Sequence, residues 1–137
     1  MTPHLAAAVS NYGGLGSLAS GYVQPDDLRQ QIRQVKQLTS RLFQVNVFVP
    51  EPIPDVKKED VAFWEKRLPV WPEAHRMPSE EELWDDFERK INILLEEDVP
   101  IVSFTFACPN EQTIHHLKQK RNLFNRNGDN KKRKHCF

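Results

Sequence analysis

Ser10-Asn11-Tyr12-Gly13-Gly14-Leu15-Gly16-Ser17-Leu18-Ala19-Ser20-Gly21, written SNYGGLGSLASG, decides between two readings of the chain. Gly14, Gly16 and Ala19 satisfy the spacing G-x-G-x-x-G/A of a dinucleotide-binding loop, which requires a strand before the glycines and a helix after them. Here the order is reversed. Thr2 is placed as an N-cap, Pro3 as the first helical residue, and HLAAAVS continues the helix with Leu5, Ala8 and Val9 on one apolar face. Gly13 then falls at the C′ position, where glycine enters the left-handed region without a Cβ penalty. After it, LGSLAS is short, small and apolar enough for a buried strand. The glycines therefore read as a tight turn from helix to strand, and spacing alone does not make them a phosphate cradle.

The same alternation continues outward. PDDLRQQIRQVKQLT, from Pro25, has Leu28, Ile32, Val35 and Leu38 at helical spacing, with Asp26 and Asp27 in the first turn. FQVNVFV (Phe43 to Val49) is rich in β-branched and aromatic residues and is stopped by Pro50, so it reads as a strand. EPIPDVKKED is a proline-bearing connection, and DVAFWEKRL a short helix inside an insertion. A helix begins at the capping box around Ser79 and carries Leu83, Phe87, Ile91 and Leu94 or Leu95 on its apolar face. IVSFTFA follows Pro100 as a third strand, and a last helix runs from about Asn110 through EQTIHHLKQ. Helix and strand alternating in this way imply an α/β fold with a parallel sheet.

Composition limits the function classes. The 137 residues are 39% hydrophobic and 28% charged, as in one ordinary soluble domain. No apolar run reaches the length of a membrane span and no signal-peptide pattern opens the chain, so no membrane partner and a cytoplasmic location are expected. Cys108 and Cys136 lie far apart in unlike surroundings and are expected as free thiols. The formal net charge of +0 conceals two compositions: from Lys118 onward there are eight Lys/Arg and one acid, leaving eleven basic against eighteen acidic residues before it, a net of −7. A tail such as KKRKH could engage nucleic acid, but no aromatic platform or recognition motif accompanies it.

Few residues carry chemistry. Asn46 is the strongest candidate, because an amide inside an apolar strand needs partners. A bound cofactor could supply them, and so could neighbouring backbone. Thr105 in SFTF is a weaker candidate of the same kind. His115 and His116 are adjacent on a helix and cannot form an i, i+4 metal pair, and the acids of EEELWDDFE suit a helix start better than a catalytic dyad. No metal site and no nucleophile, base and orienting group can be assembled.

TPHLAAAVSNYGGLGSLASGY, LTSRLFQVNVFVPEP, EEELWDDFERKI and VSFTFACP, in this order and spacing, resemble the N-terminal part of the flavin-dependent nitronate monooxygenases, also called 2-nitropropane dioxygenases. The resemblance runs from Thr2 to about Gln119. It implies part of a (β/α)8 TIM barrel, incomplete in this chain, that holds FMN and oxidises alkyl nitronates with O2 to a carbonyl compound and nitrite without a metal. It further implies that the asparagine of the VN(V/L)F strand, here Asn46, contacts FMN, with Gly14, Gly16 and Thr105 near the site. The family's first strand is expected before Met1 and its catalytic histidine beyond this chain, so no catalytic residue is assigned and the chain is expected to be an inactive fragment.

Residues 1–120 are accordingly expected to be the barrel portion and 121–137 a basic, disordered tail. The family has a strand resembling Ile-Gly-Thr-Ala-Thr-Thr at the tail's position. Codons permitted for Arg121 to Lys131, read one base later, give Glu-Ile-Phe-Leu-Ile-Gly-Thr-Ala-Thr-Thr-Lys, so the tail is read as out of frame. The competing expectation is a non-catalytic binding module whose tail engages nucleic acid or a protein partner.

Overall fold

The computed structural model describes residues 2–52, Glu59, Phe63, Arg67, 78–119 and the backbone of 123–126. In chain order the elements are α1 (Pro3–Asn11), β1 (Gly16–Ala19), α2 (Pro25–Leu38), β2 (Phe43–Phe48), α3 (Glu80–Glu96), β3 (Ile101–Thr105), α4 (Glu111–Gln119) and β4 (Leu123–Arg126). The four strands form one parallel sheet in the order β1-β2-β3-β4. The short helix expected over DVAFWEKRL falls largely outside the described residues.

Local chemistry sets these boundaries. Thr2 caps α1 by accepting from the Leu5 amide at 3.3 Å, and Pro3 occupies the first turn. At the other end Gly13 has φ +88°, its amide donates to Ser10 O at 3.0 Å, and the Gly14 amide donates to Val9 O at 3.0 Å. These two bonds form a Schellman ending that satisfies the last carbonyls of α1. Ser79 and Glu82 form the expected capping box at the start of α3, and Asn110 Oδ1 accepts from the Thr113 amide at 2.8 Å before α4.

One face of the sheet is dry. Leu18, Val45, Val47, Val102 and Phe104 are each at most 1% exposed and lie beneath Leu28, Ile32 and Val35 of α2 and Phe87, Ile91 and Leu94 of α3. The Phe87 and Phe104 rings are 6.5 Å apart, which fixes α3 on this face. Alternation then turns Ser17, Ala19, Gln44, Asn46, Ser103 and Thr105 to the opposite face, which carries no helix among the described residues. Sequential parallel strands with helices on one side form an open segment of a (β/α)8 barrel wall.

Arg29, Arg33 and Lys36 of α2 meet Glu96 and Glu97 at the end of α3. Arg29 lies 2.7 Å from Glu96 and 3.3 Å from Glu97, and Arg33 is 2.8 Å from Glu97. The Arg33 hydrogen bond does most to hold the Glu97 carboxyl below its ordinary value, against the opposing effect of its burial. The hydrogen bond to Glu96 does most to raise Arg29 above its ordinary value.

Two expectations are corrected, on the face of α1 and on Cys108, and one strand joins the sheet beyond those read from the sequence. The buried face of α1 is Ala6, Ala7 and Ser10, whereas Leu5 and Val9 are 52% and 37% exposed. Small side chains face the sheet because α1 crosses β1 at Gly16 so closely that a Cβ there would stand 1.9 Å from Ala6 O. A fourth strand occupies Leu123–Arg126, inside the segment expected as a disordered tail. Pairing runs through backbone groups, which every non-proline residue supplies, so the outer edge of β3 can accept a segment whatever its side chains. Cys108, expected as a free thiol, is disulfide-bonded, and its partner lies outside the described residues.

Candidate functional site

In parallel α/β architectures the ligand site lies at the carboxyl ends of the strands. Here that edge comprises Ser20 and Gly21 after β1, Phe48 at the end of β2, and Thr105 and Phe106 at the end of β3. Asn46 lies on the open face of β2, level with Ala19 on one side and Ser103 on the other. Its Nδ2 donates to Ser103 Oγ and Thr105 Oγ1, each at 3.0 Å, and Thr105 Oγ1 lies 3.2 Å from Asn46 Oδ1. The amide is therefore satisfied by two hydroxyls of the neighbouring strand, a third solution beside the backbone and cofactor partners considered from sequence. Both N–H groups are engaged, while Oδ1 retains acceptor capacity.

The main chain beneath Asn46 is held as firmly. Asn46 O accepts from both the amide and the hydroxyl of Ser20, at 3.0 and 2.8 Å, and Ser20 is fully buried. This double bond carries the pairing of β1 and β2 one residue past the end of β1 and fixes where Gly21 leaves the sheet. A Cβ at Gly21 would lie 2.2 Å from the Phe48 ring, so glycine lets the ring sit against the main chain there.

Phe48 is the centre of an aromatic group absent from the sequence-based expectation. Its ring meets Tyr22 edge-on at 5.9 Å and Phe106 at 4.8 Å. Phe106 is 56% exposed and has φ +78°, a region that costs a non-glycine residue of order 1–3 kcal/mol and persists where surrounding structure enforces it. The sequence offered a signal in the Phe-Thr-Phe alternation at the end of β3, but a strand pattern predicts neither a left-handed residue nor its contact with Phe48.

Of the expected site residues, the structure brings Asn46 and Thr105 together and separates Gly14 and Gly16 from them. The two glycines lie before and at the amino end of β1, the edge opposite the strands' carboxyl ends. Gly14 is packed against Val9, with a Cβ predicted 2.9 Å from Val9 Cγ1, and Gly16 against Ala6 and Ser10. Ser10 Oγ accepts from the Gly16 amide at 3.1 Å and donates to Leu42 O at 2.8 Å, tying the turn to the start of β2. They serve an α-to-β turn that enters the sheet at its amino edge.

Among the described residues no group of three or more His, Cys, Asp or Glu is arranged to hold a metal ion. His115 and His116 are exposed on α4, and His115 contacts Gln119 at 2.8 Å. No helix among the described residues is long and apolar enough to cross a membrane.

Comparison with known proteins agrees with this geometry. Residues 1–125 match the sequence profile of the family described as Nitronate monooxygenase. The chain is 45% identical over 116 residues to a probable nitronate monooxygenase of Bacillus subtilis (strain 168), covering 85% of this chain and 33% of the relative. Among solved structures it is similar to nitroalkane oxidase from Streptomyces ansochromogenes, with a TM-score of 0.74 and 36% identity, covering 90% of this chain and 35% of that one. It is also similar to FabK from Thermotoga maritima, with a TM-score of 0.62 and 30% identity over 91% of this chain and 29% of that one. The chain thus spans about a third of the length of the proteins it matches. A profile match over most of its residues, joined to the parallel helix-covered sheet, establishes that the chain belongs to the nitronate monooxygenase family.

Proposed function

We propose that residues 1–119 form a flavin-facing wall of an FMN-dependent nitronate monooxygenase, acting on alkyl nitronates and O2. The observation that carries this reading is the placement of Asn46 on the open face of β2, hydrogen-bonded to Ser103 and Thr105 beside the carboxyl edge. A neutral set of one amide and two hydroxyls suits the polar edge of an isoalloxazine ring, and the aromatic group of Phe48 and Phe106 suits its apolar faces. FMN, when bound, supplies the electron transfer between nitronate and O2.

The chain's own residues have supporting roles. Ser103 and Thr105 orient the Asn46 amide, so that its free acceptor capacity points in one direction. Ser20 and Gly21 fix the edge at which Phe48 and Phe106 present their rings. No residue described here is assigned to proton transfer, and none grips a phosphate, since the glycine turn lies at the other edge. The isolated chain is accordingly proposed to bind FMN weakly and to lack turnover.

A chimera tests this reading. Residues 1–119 would replace the matching segment of the Bacillus subtilis relative, and nitrite release from alkyl nitronates would be measured in air. Flavin-dependent nitrite release is expected. A folded, flavin-loaded chimera that releases none would overturn the reading, and stoichiometric flavin on the isolated chain would overturn the proposal of weak binding.

A further inference from the structure

We propose that Phe48 determines which alkyl nitronates the site prefers, its ring serving as the wall against which the apolar substituent of the substrate packs. This role rests on the nitronate reading above and names the residue that selects by substituent size. Phe48 follows Asn46 by two residues in β2, so it stands on the same open face, about 6.6 Å nearer the carboxyl edge and level with Thr105 of β3. The residues around it on that face, Ala19, Asn46, Ser103 and Thr105, are small or polar. Phe48 is therefore the large apolar side chain that this end of the face sets beside the polar group of Asn46. An alkyl nitronate has the same two halves, an anionic head and an apolar substituent.

The ring is positioned from both sides. Towards β1, its Cε2, Cδ2 and Cζ would stand 2.2, 2.5 and 2.8 Å from a Cβ at Gly21, so the ring edge fills the space that a side chain would otherwise take. Ser20 anchors that stretch of main chain, because its amide and hydroxyl both donate to Asn46 O, at 3.0 and 2.8 Å. Towards β3, Phe106 meets the ring at 4.8 Å and 70°, with a backbone φ of +78° that a phenylalanine keeps only where its surroundings enforce it. Gly21 and Phe106 thus flank the ring, and a push from Gly21 drives it off the face, into the space beside Asn46. A ring held in this way is a surface of defined position, and each methylene laid on such a surface changes affinity roughly fourfold.

The test uses the flavin-loaded chimera with propionate and hexanoate, unreactive carboxylates that share the anionic two-oxygen head of a nitronate and differ only in chain length. Their dissociation constants are read from the change in flavin absorbance. Beside them, kcat/KM for nitrite release is measured with the nitronates of nitroethane and nitrohexane. Phe48→Ala is expected to lower the preference for hexanoate over propionate, and the matching ratio of kcat/KM, by about tenfold, and Phe48→Leu to restore most of it. Gly21→Ala keeps every ring but pushes this one towards the substrate, so it is expected to lower the same two ratios by excluding the longer substituent; it carries the test if Phe48→Ala does not fold. Ratios unchanged by these substitutions would overturn the proposal while nitrite release upheld the nitronate reading. An equal loss for short and long ligands would also overturn it, since a merely structural role weakens both alike. An unsubstituted chimera that holds flavin but releases no nitrite would overturn the nitronate reading and this role with it.

Discussion

Gly16→Ala is expected to be the most costly single-methyl change in the chain. The added Cβ would stand 1.9 Å from Ala6 O, 2.7 Å from Ala6 C and 2.7 Å from Ser10 Oγ. An ordinary close contact is above 3 Å, so α1 must retreat from β1 by more than an ångström. Overpacking of this kind costs ~1–3 kcal/mol. The retreat also strains the bonds from Ser10 Oγ to the Gly16 amide and Leu42 O, at 3.1 and 2.8 Å, which contribute roughly 1 kcal/mol each. The expected loss is about 3–5 kcal/mol, a large fraction of the stability of a small domain. Gly13→Ala is the control: nothing lies within 4 Å of its Cβ, and only the left-handed backbone is penalised, at about 1–2 kcal/mol. Urea unfolding followed by circular dichroism measures both. If Gly16→Ala costs less than Gly13→Ala, the steric explanation of the glycine turn is refuted.

Asn46→Ala should destabilise the chain by about 1–3 kcal/mol, because it strands the buried Ser103 hydroxyl. A double-mutant cycle with Ser103→Ala should recover a coupling of about 1 kcal/mol, and additivity would show that the two side chains do not interact. Glu97 has a lowered carboxyl pKa, so its contribution is complete above the ordinary value of 4.5 and is lost as pH falls through the lower folded value. Glu97→Gln should therefore weaken the chain at pH 7 and make the stability difference vanish under strong acid; a difference independent of pH would exclude the ion cluster as the cause. Gly21→Ala should displace the Phe48 ring and alter the near-ultraviolet circular dichroism of the aromatic group, with little change in far-ultraviolet signal. An unchanged near-ultraviolet spectrum would show that Gly21 does not hold the ring in place.

The order of elements was legible because each carries its own local signal. Thr2-Pro3 and the Ser79 capping box start helices, Gly13 ends one, and Phe43–Phe48 has the composition of a parallel strand. The buried face of α1 was not legible from periodicity, because its contact with β1 selects small residues over apolar ones, and that selection depends on a glycine several residues away. β4 was hidden for another reason: its pairing uses backbone groups, while its surroundings have the composition of a basic tail. Asn46 stood out as a polar residue in an apolar run, yet only the register with β3 reveals that Ser103 and Thr105 are its partners. The aromatic group of Tyr22, Phe48 and Phe106 joins three loops or strand ends distant in sequence, and no spacing rule connects them.

Equilibrium titration of FMN into the chimera, with and without Asn46→Leu, tests most directly whether this sheet is a flavin-facing wall. The substitution is expected to weaken flavin binding by about 1–3 kcal/mol, the cost of losing a buried polar contact. Equal flavin affinity in the two folded proteins would contradict the assignment of Asn46 to the cofactor.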